Sequence, residues 1–354
     1  MKTSEPNSIS FVRANRTKFG GAEVYLSRLS DALDRQNIKY EIINSIFPNF
    51  LPSWLRVILF NFQACVTKGN KFYFSLDRIS CPDIYRAGDG VHKVFLTIED
   101  KSKLNPLHPI YLFLEKRCFN NSKKIIAISN MVKRNIVDNY KVDEKKIVVI
   151  YNGIPLKDYD YNGSYNRVSS EFHFKPSRYI LLYVGSGFKR KGVEEFLQII
   201  SRLDRNDIQA FIIGKDKNID YYQQLSLRLN INDRVIFTGP REDVDDFYTI
   251  SDVFIFPTHY EPFGNVILEA MNFRNAVFTT KQCGGGEILN KHFVMDQADD
   301  YSVVSKINDL LDNKSKLEDV KEGNRVMSKK FSIDRNLKET VKVIETLKNS
   351  TYLG

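Results

Sequence analysis

The sequence predicts an α/β protein of two domains, each a parallel sheet covered by helices, and three observations carry that expectation. Short β-branched or aromatic runs alternate with longer amphipathic stretches, which is the pattern of strands joined by helical crossovers. The alternation restarts after a polar stretch near the middle of the chain. The length of 354 residues is also more than twice the roughly 150 residues of an ordinary domain.

In the first half, strands are expected at 9–13, 40–44, 71–75, 124–128 and 147–151. A helix over 22–35 follows from the spacing of Val24, Leu26, Leu29 and Leu33. A second, over 130–140, carries Met131, Ile136 and Val137 behind Ser129, whose hydroxyl suits an N-cap. Residues 157–177 turn polar, rich in Asn, Ser and Tyr, with Gly163 and Pro176, so a domain boundary is expected there. The expected division is 1–160 and 161–335. In the second half, strands are expected at 179–184, 209–213, 234–238, 253–257 and 276–280, with a helix over 193–203. The last stretch, 336–349, is amphipathic through Leu337, Val341, Val343, Ile344 and Leu347. No repeat or low-complexity tract interrupts the pattern.

With 42% hydrophobic and 27% charged residues the chain can bury full cores, which excludes disorder as its main theme. The net charge of +9 is unevenly placed: residues 1–160 hold 25 Lys and Arg against 16 Asp and Glu, and residues 161–354 hold 27 against 27. An anionic partner is therefore expected for the first half alone. Nucleic acid is not the expected partner, because no binding motif accompanies the charge. Cys65, Cys81, Cys118 and Cys283 form no CxxC pair, so neither a disulfide framework nor a zinc site is expected, and a reducing cytoplasm fits. No signal-peptide core and no apolar run of roughly 18–20 residues is present, so neither export nor bilayer insertion is expected.

Three loops between a strand and a helix carry the chemistry. In Tyr260-Glu261-Pro262-Phe263-Gly264-Asn265-Val266-Ile267-Leu268-Glu269, two carboxylates flank an expected helix start, with Pro262 read into its first turn. There the N–H groups of Phe263, Gly264, Asn265 and Val266 would face an anion at the sheet edge. Gly185-Ser186-Gly187-Phe188-Lys189-Arg190-Lys191-Gly192 is not a dinucleotide fingerprint, since Arg190 stands where the third glycine belongs. It offers a flexible backbone and three consecutive cations, a chemistry suited to a diphosphate. Lys18-Phe19-Gly20-Gly21-Ala22-Glu23 makes a tight turn before the first helix. Asp89, between Gly88 and Gly90, is either a turn residue or a carboxylate for sugar hydroxyls, and His92 beside it is a weak candidate. Asp243-Val244-Asp245 matches the DxD of metal-dependent sugar transferases but reads as acidic first-turn residues of a helix. Cys283 lacks a local base and is a poor nucleophile.

Together these residues resemble the retaining glycosyltransferases of the GT-B fold, family 4. Glu261 and Glu269 reproduce the family's E-x7-E element, Arg190 and Lys191 its diphosphate pair, Gly20-Gly21 its N-domain loop, and Tyr151-Asn152-Gly153-Ile154 its interdomain signature. A narrower similarity is to α-1,3-glucosyltransferases of the lipopolysaccharide core, through Pro82-Asp83-Ile84-Tyr85 with Ala87 and Asp89, and Gly214-Lys215-Asp216-Lys217.

The resemblance implies two facing Rossmann-like domains, with acceptor bound to the first and nucleotide sugar to the second, and a last helix, 336–354, crossing back to the first. It implies transfer of a hexose with retention and without a metal, UDP-glucose being the first-choice donor. Arg190 and Lys191 would stabilise the leaving diphosphate, helped by N–H groups near Gly20 and Gly264, with Gly21 and Gly185 also at the nucleotide-sugar site. Glu261 would hold sugar hydroxyls, Glu269 the ribose and Asp89 acceptor or donor hydroxyls, with Arg241 bordering the base. The same fold serves nucleotide-sugar epimerases and non-catalytic glycan-binding relatives, so acceptor-dependent turnover is the deciding property. The expected acceptor is a glycolipid or oligosaccharide of the bacterial surface. Segments 47–62 and 93–124 mix apolar and basic residues, as an interfacial helix at an anionic leaflet would, or a buried core helix in the first case.

Overall fold

The structure is a computed structural model that describes residues 8–15, 21–99, 105–174 and 177–352. The chain divides into two compact units, Met1–Tyr151 with Ile333–Gly354, and Asn152–Ser332. Gly20 of the N-domain loop lies outside the described residues; Gly21 opens the first helix.

The first unit runs β1 (Ile9–Val12), α1 (Gly21–Arg35), β2 (Tyr40–Ile43), α2 (Ser53–Val66), β3 (Phe72–Ser75), β4 (Ile84–Ala87), α3 (His92–Glu99), α4 (Leu107–Asn121), β5 (Lys124–Ala127), α5 (Asn130–Tyr140) and β6 (Ile147–Val149). Its sheet has the order β2-β1-β3-β4-β5-β6 with every pair parallel. Strand β4 is not evident from the sequence, because its four residues include Arg86 and follow a Pro-Asp turn. Ser129 caps α5 by accepting from the Val132 N–H at 3.1 Å, an interaction of about 1 kcal/mol. The core joins Phe11 and Phe74 of the sheet to Leu26, Leu29 and Leu33 of α1.

The second unit begins with α6 (Tyr161–Phe172), then β7 (Tyr179–Val184), α7 (Phe188–Lys191), α8 (Val193–Arg202), β8 (Ile208–Ile213), α9 (Ile219–Arg228), β9 (Val235–Gly239), α10 (Val244–Ile250), β10 (Val253–Phe256), α11 (Asn265–Asn272), β11 (Ala276–Thr280), β12 (Val294–Met295), α12 (Val303–Asp312) and α13 (Lys314–Ser328). Its parallel sheet has the order β12-β11-β10-β7-β8-β9. Much of the polar stretch read as a boundary is α6: Asp160 caps it, and Ser164 and Arg167 bind Asp246. The units divide at Tyr151 instead. Helix α14 (Ile333–Tyr352) packs Leu337, Val341 and Ile344 into the first unit's core, and its Thr340 hydroxyl lies 3.2 Å from the Tyr25 hydroxyl.

The cysteine expectation needs correction. Cys65 and Cys81 form a disulfide with Cα atoms 5.7 Å apart, joining the end of α2 to the loop before β4. Folding of α2 beside β3 brings them together, which a separation of 16 residues does not reveal. Cys118 and Cys283 are free and buried. Closing a loop of this size stabilises the oxidised protein by about 3 kcal/mol. Dithiothreitol is therefore expected to lower the thermal midpoint of the wild type and to leave a Cys65→Ser/Cys81→Ser variant unmoved.

Helix α2 is not the buried core helix that segment 47–62 allowed. Phe60 and Ala64 turn inward, whereas Trp54 (38%), Ile58 (41%), Phe62 (65%) and Val66 (65%) line its outer side, with Phe50 (85%) just before it. A four-residue spacing keeps such side chains neighbours along one side of a helix.

Candidate active site

Each parallel sheet has one place where successive crossovers part in opposite directions, and the loops leaving the strands there splay apart to leave a crevice. In the second unit it lies between β7 and β10, the neighbours at the centre of the sheet. The Gly185–Gly192 loop leaves β7 and the Thr258–Gly264 loop leaves β10, so topology brings together two motifs some 70 residues apart.

They are locked to each other. The His259 N–H donates to the Arg190 carbonyl at 2.9 Å, and the Thr258 hydroxyl to the same oxygen at 3.1 Å. The Arg190 guanidinium donates to the Tyr260 carbonyl and, at 3.2 Å, to the Glu261 carboxylate. The Lys191 ammonium stands 3.4 Å from the same carboxylate oxygen. These three side chains are each only about one-fifth exposed, so their charges interact more strongly than on an open surface. Two cations thus face one carboxylate at this sheet edge.

Helix α11 opens at Asn265, so Pro262 lies in the preceding loop rather than in the first turn as expected. Gly264 adopts φ 81° and reverses the chain into the helix. The Asn152 amide donates to Asn265 Oδ1 at 2.9 Å, which ties the first residue of the second unit to this helix start. Phe263 is buried, and its carbonyl accepts from the Gly285 N–H at 2.7 Å and from the Cys283 thiol. Burial pushes that thiol up to about 12, so Cys283 stays protonated and packs. Glu269, in the second turn, accepts from the buried Tyr248 hydroxyl at 3.3 Å.

Arg190, Lys191, Glu261, Phe263, Gly264, Asn265, Val266, Glu269 and Gly185 thus share one edge of the second sheet. Arg241 is held elsewhere: its guanidinium pairs with Asp243 at 2.7 Å and with Glu171, over the Phe172 and Phe247 rings. The DxD carboxylates are engaged likewise, Asp243 by Arg241 and Asp245 by Lys157. Asp216, which the sequence offers only as part of Gly214–Lys217, acquires a positioning role here. Its carboxylate accepts from the Phe188 N–H at 2.7 Å and the Asn218 N–H at 2.8 Å, fixing the start of α7. Only the pairing of β7 with β8 makes it a neighbour.

Asp89 and Gly21 belong to the first unit, where the crossovers part between β1 and β3. A 640 Å³ cavity opens there, lined by Arg13, Arg56, Asp77, Arg78, Asp89 and Tyr111 among others. Asp89 is 3.8 Å from Arg78, its side chain half exposed. Beneath lies Glu115, fully buried and missed from sequence. It accepts from Arg78 Nε at 2.9 Å, the His92 N–H at 2.7 Å and the Tyr140 hydroxyl, and so anchors the loop after β4.

His92 is more constrained than a loop histidine, with Nε2 3.2 Å from His108 Nδ1. Burial, then the Arg78 charge, lower its pKa from 6.5 to about 4, against an opposing pull from Glu115. The unfolded chain therefore binds this proton more readily, and His92 contributes stability above pH 6.5 that is lost as pH falls from 6.5 to about 4. Proton NMR of the His92 ring is expected to show no titration between about pH 5.5 and 8; a midpoint near 6.5 would contradict its half-buried placement beside Arg78 and His108.

Comparisons with known proteins agree with this architecture. Residues 166–327 match the family model "Glycosyl transferases group 1" and residues 89–158 the model "Glycosyltransferase Family 4". The capsular polysaccharide biosynthesis glycosyltransferase CapM of Staphylococcus aureus is 30% identical over 239 residues, 63% of this chain and 61% of CapM. The lipopolysaccharide glucosyltransferase WaaG of Escherichia coli is 26% identical over 182 residues, 49% of this chain and 48% of WaaG. The chain thus spans about half to three-fifths of the length of the curated relatives it matches. Among solved structures, WaaG superposes with a TM-score of 0.78 at 18% identity, covering 95% of this chain and 99% of that one. Anabaena HepE, in complex with UDP and glucose, superposes with a TM-score of 0.72 at 15% identity, covering 96% and 99%. Two six-stranded parallel sheets, the two family-model matches and these superpositions identify the fold as that of the GT-B glycosyltransferases of group 1 and family 4.

Proposed function

We propose that this protein is a retaining hexosyltransferase that moves a sugar, glucose from UDP-glucose as first choice, onto a lipopolysaccharide-core or other bacterial surface glycan without a metal. The observation that carries the reading is the convergence of Arg190, Lys191 and Glu261 at the parting point of the second sheet, beside the start of α11. The cations suit the charge that develops on a departing diphosphate, and preorganised charges aimed at a leaving group are a strong source of rate enhancement. Glu261, held between them, is left to orient sugar hydroxyls, and Glu269, steadied by Tyr248, to accept from a ribose. Asp89 in the first unit's cavity serves the acceptor hydroxyls. Relatives named for capsular polysaccharide and lipopolysaccharide synthesis support the acceptor class.

In this reading the enzyme works at the inner face of the cytoplasmic membrane as a peripheral protein, with the Cys65–Cys81 pair held as thiols by that reducing compartment. No helix among the described residues is long and apolar enough to cross a bilayer. The outer side of α2 and the exposed Phe113 with the Arg117 cation over its ring offer apolar and basic contact instead. The test incubates the protein with a panel of nucleotide sugars with and without lipid-linked acceptor. UDP release that requires acceptor, with a product anomer matching the donor's, is the expected result. Release without acceptor, an inverted product or epimerised donor refutes the reading. Flotation with vesicles containing and lacking anionic lipid tests the membrane contact, which salt-independent absence of binding would remove.

A further inference from the structure

The three arginines lining the first unit's cavity are not equivalent. Arg13 sits between two carboxylates, 2.8 Å from both Glu23 and Asp77. Arg78 is neutralised by the buried Glu115 at 2.9 Å. Among the described residues Arg56 has no carboxylate within ion-pair distance. Its Nη1 donates to the neutral amide oxygen of Asn49, and its Nε is buried without a hydrogen-bond partner. Leaving a buried cationic N–H unpaired is unfavourable, and a ligand oxygen would remove that cost.

The chemistry of the free edge narrows the ligand. With Nη1 engaged by Asn49, the opposite side of the guanidinium presents Nε–H and Nη2–H in parallel, a fork that matches two oxygens of one oxyanion. Beside Arg56 the cavity lining mixes the apolar Phe47, Pro48, Val57 and Phe60 with the polar Asn49 and Ser53, and Asp77 and Asp89 line the same cavity. A phosphate ester carries an oxygen beyond the two that the fork takes, and as a diester it can join an apolar substituent to a polar one while keeping its charge, which a carboxylate cannot. Its volume of 640 Å³ lies within the range of about 300–1,000 Å³ that small-ligand sites occupy.

We propose that the first-unit cavity binds an acceptor bearing a phosphate ester, whose oxygens are held by the Nε–Nη2 edge of Arg56. The proposal rests on the reading of this unit as the acceptor side, and it names the chemical class of that acceptor. Arg56 is then a specificity-determining residue and takes no part in the donor chemistry of the second unit.

The chain carries its own reporter, because its single tryptophan, Trp54, lies two residues from Arg56 and is partly exposed. The intact protein is titrated with farnesyl phosphate and with glucose 1-phosphate, each against its phosphate-free counterpart, farnesol or glucose, and Trp54 emission is followed. At least one phosphate ester is expected to bind about tenfold or more tightly than its counterpart, and Arg56→Gln to remove that advantage. Arg56→Lys, which keeps the charge and loses the fork, is expected to restore only part of it. Preference for the farnesyl ester assigns the phosphate to a lipid carrier, and preference for the sugar ester to a phosphorylated glycan.

Equal binding of esters and counterparts, or wild-type affinity in Arg56→Gln, overturns the proposal. Stabilisation by UDP, measured in parallel, reports on the second unit. Its absence in the wild type would count against the glycosyltransferase reading alone, and its persistence in Arg56→Gln shows that the variant is folded. If Arg56→Gln does not fold, Arg56→Lys decides: weaker ester binding sustains the proposal and unchanged binding overturns it.

Discussion

Alanine at Lys191 or Arg190 is expected to lower kcat by roughly 10²–10³-fold, the usual consequence of removing one preorganised group that stabilises developing negative charge. Both side chains meet Glu261, at 3.4 and 3.2 Å, and each is about one-fifth exposed, so neither is a freely solvated surface cation. Truncating one leaves the carboxylate facing a single cation and lowers the positive potential at the mouth of the β7 and β10 loops. The double variant should lose less than the product of the single effects, because the two groups act on one carboxylate and one leaving group. UDP-induced thermal stabilisation should fall in parallel, since a ligand stabilises the fold according to its affinity. Full turnover in either single variant would refute the site. Asp216→Ala should act in the same direction more weakly, because Asp216 touches only the backbone that carries these residues.

The second large effect is expected at Gly192, between α7 and α8. Its φ of 78° lies in the left-handed region, and a Cβ placed there would stand 1.8 Å from the Pro257 carbonyl oxygen. That oxygen belongs to the chain leaving β10 and cannot rotate aside as a flexible side chain would. Gly192→Ala should therefore cost more than about 3 kcal/mol and push apart the two loops that hold Arg190 to Tyr260 and Glu261. Gly187→Ala is the matched control: the same φ of 78° but nothing within 4 Å of the added carbon, so only the conformational cost of about 1–2 kcal/mol applies. Unfolding of the second unit followed by hydrogen exchange in α8 separates the two. Equal destabilisation would show that the close approach to Pro257 does not matter.

Much of this fold was legible because parallel sheets leave a strong mark on sequence. Strands buried on both faces read as apolar runs, and β7 and β11 were located to the residue by Tyr179–Val184 and Ala276–Thr280. Strand β4 leaves no such mark, because a four-residue strand containing a buried arginine gives no apolar run. Helix α6 falls where the sequence predicts a domain boundary, because its polar, Asn- and Ser-rich residues are poor helix formers. It holds as a helix through the Asp160 cap and the contacts of Ser164 and Arg167 with Asp246. The same limit hid the disulfide: cysteine spacing carries no record of α2 folding beside β3.

By itself the sequence determined the two α/β units, the alternation that makes each sheet parallel and the motifs that follow β7 and β10. Those follow from local periodicity and from residue types that need specific backbone, and both are written along the chain. Tertiary structure alone decided which motifs meet. Strand order puts the β7 and β10 loops side by side and draws Arg190, Lys191 and Glu261 together, while Arg241, equally basic, is consumed by Glu171 and Asp243. It also separated Arg56 from Arg13 and Arg78, three residues that composition counts alike. Whether a charge is neutralised depends on what lies within a few ångströms in space, which neighbours in sequence do not set.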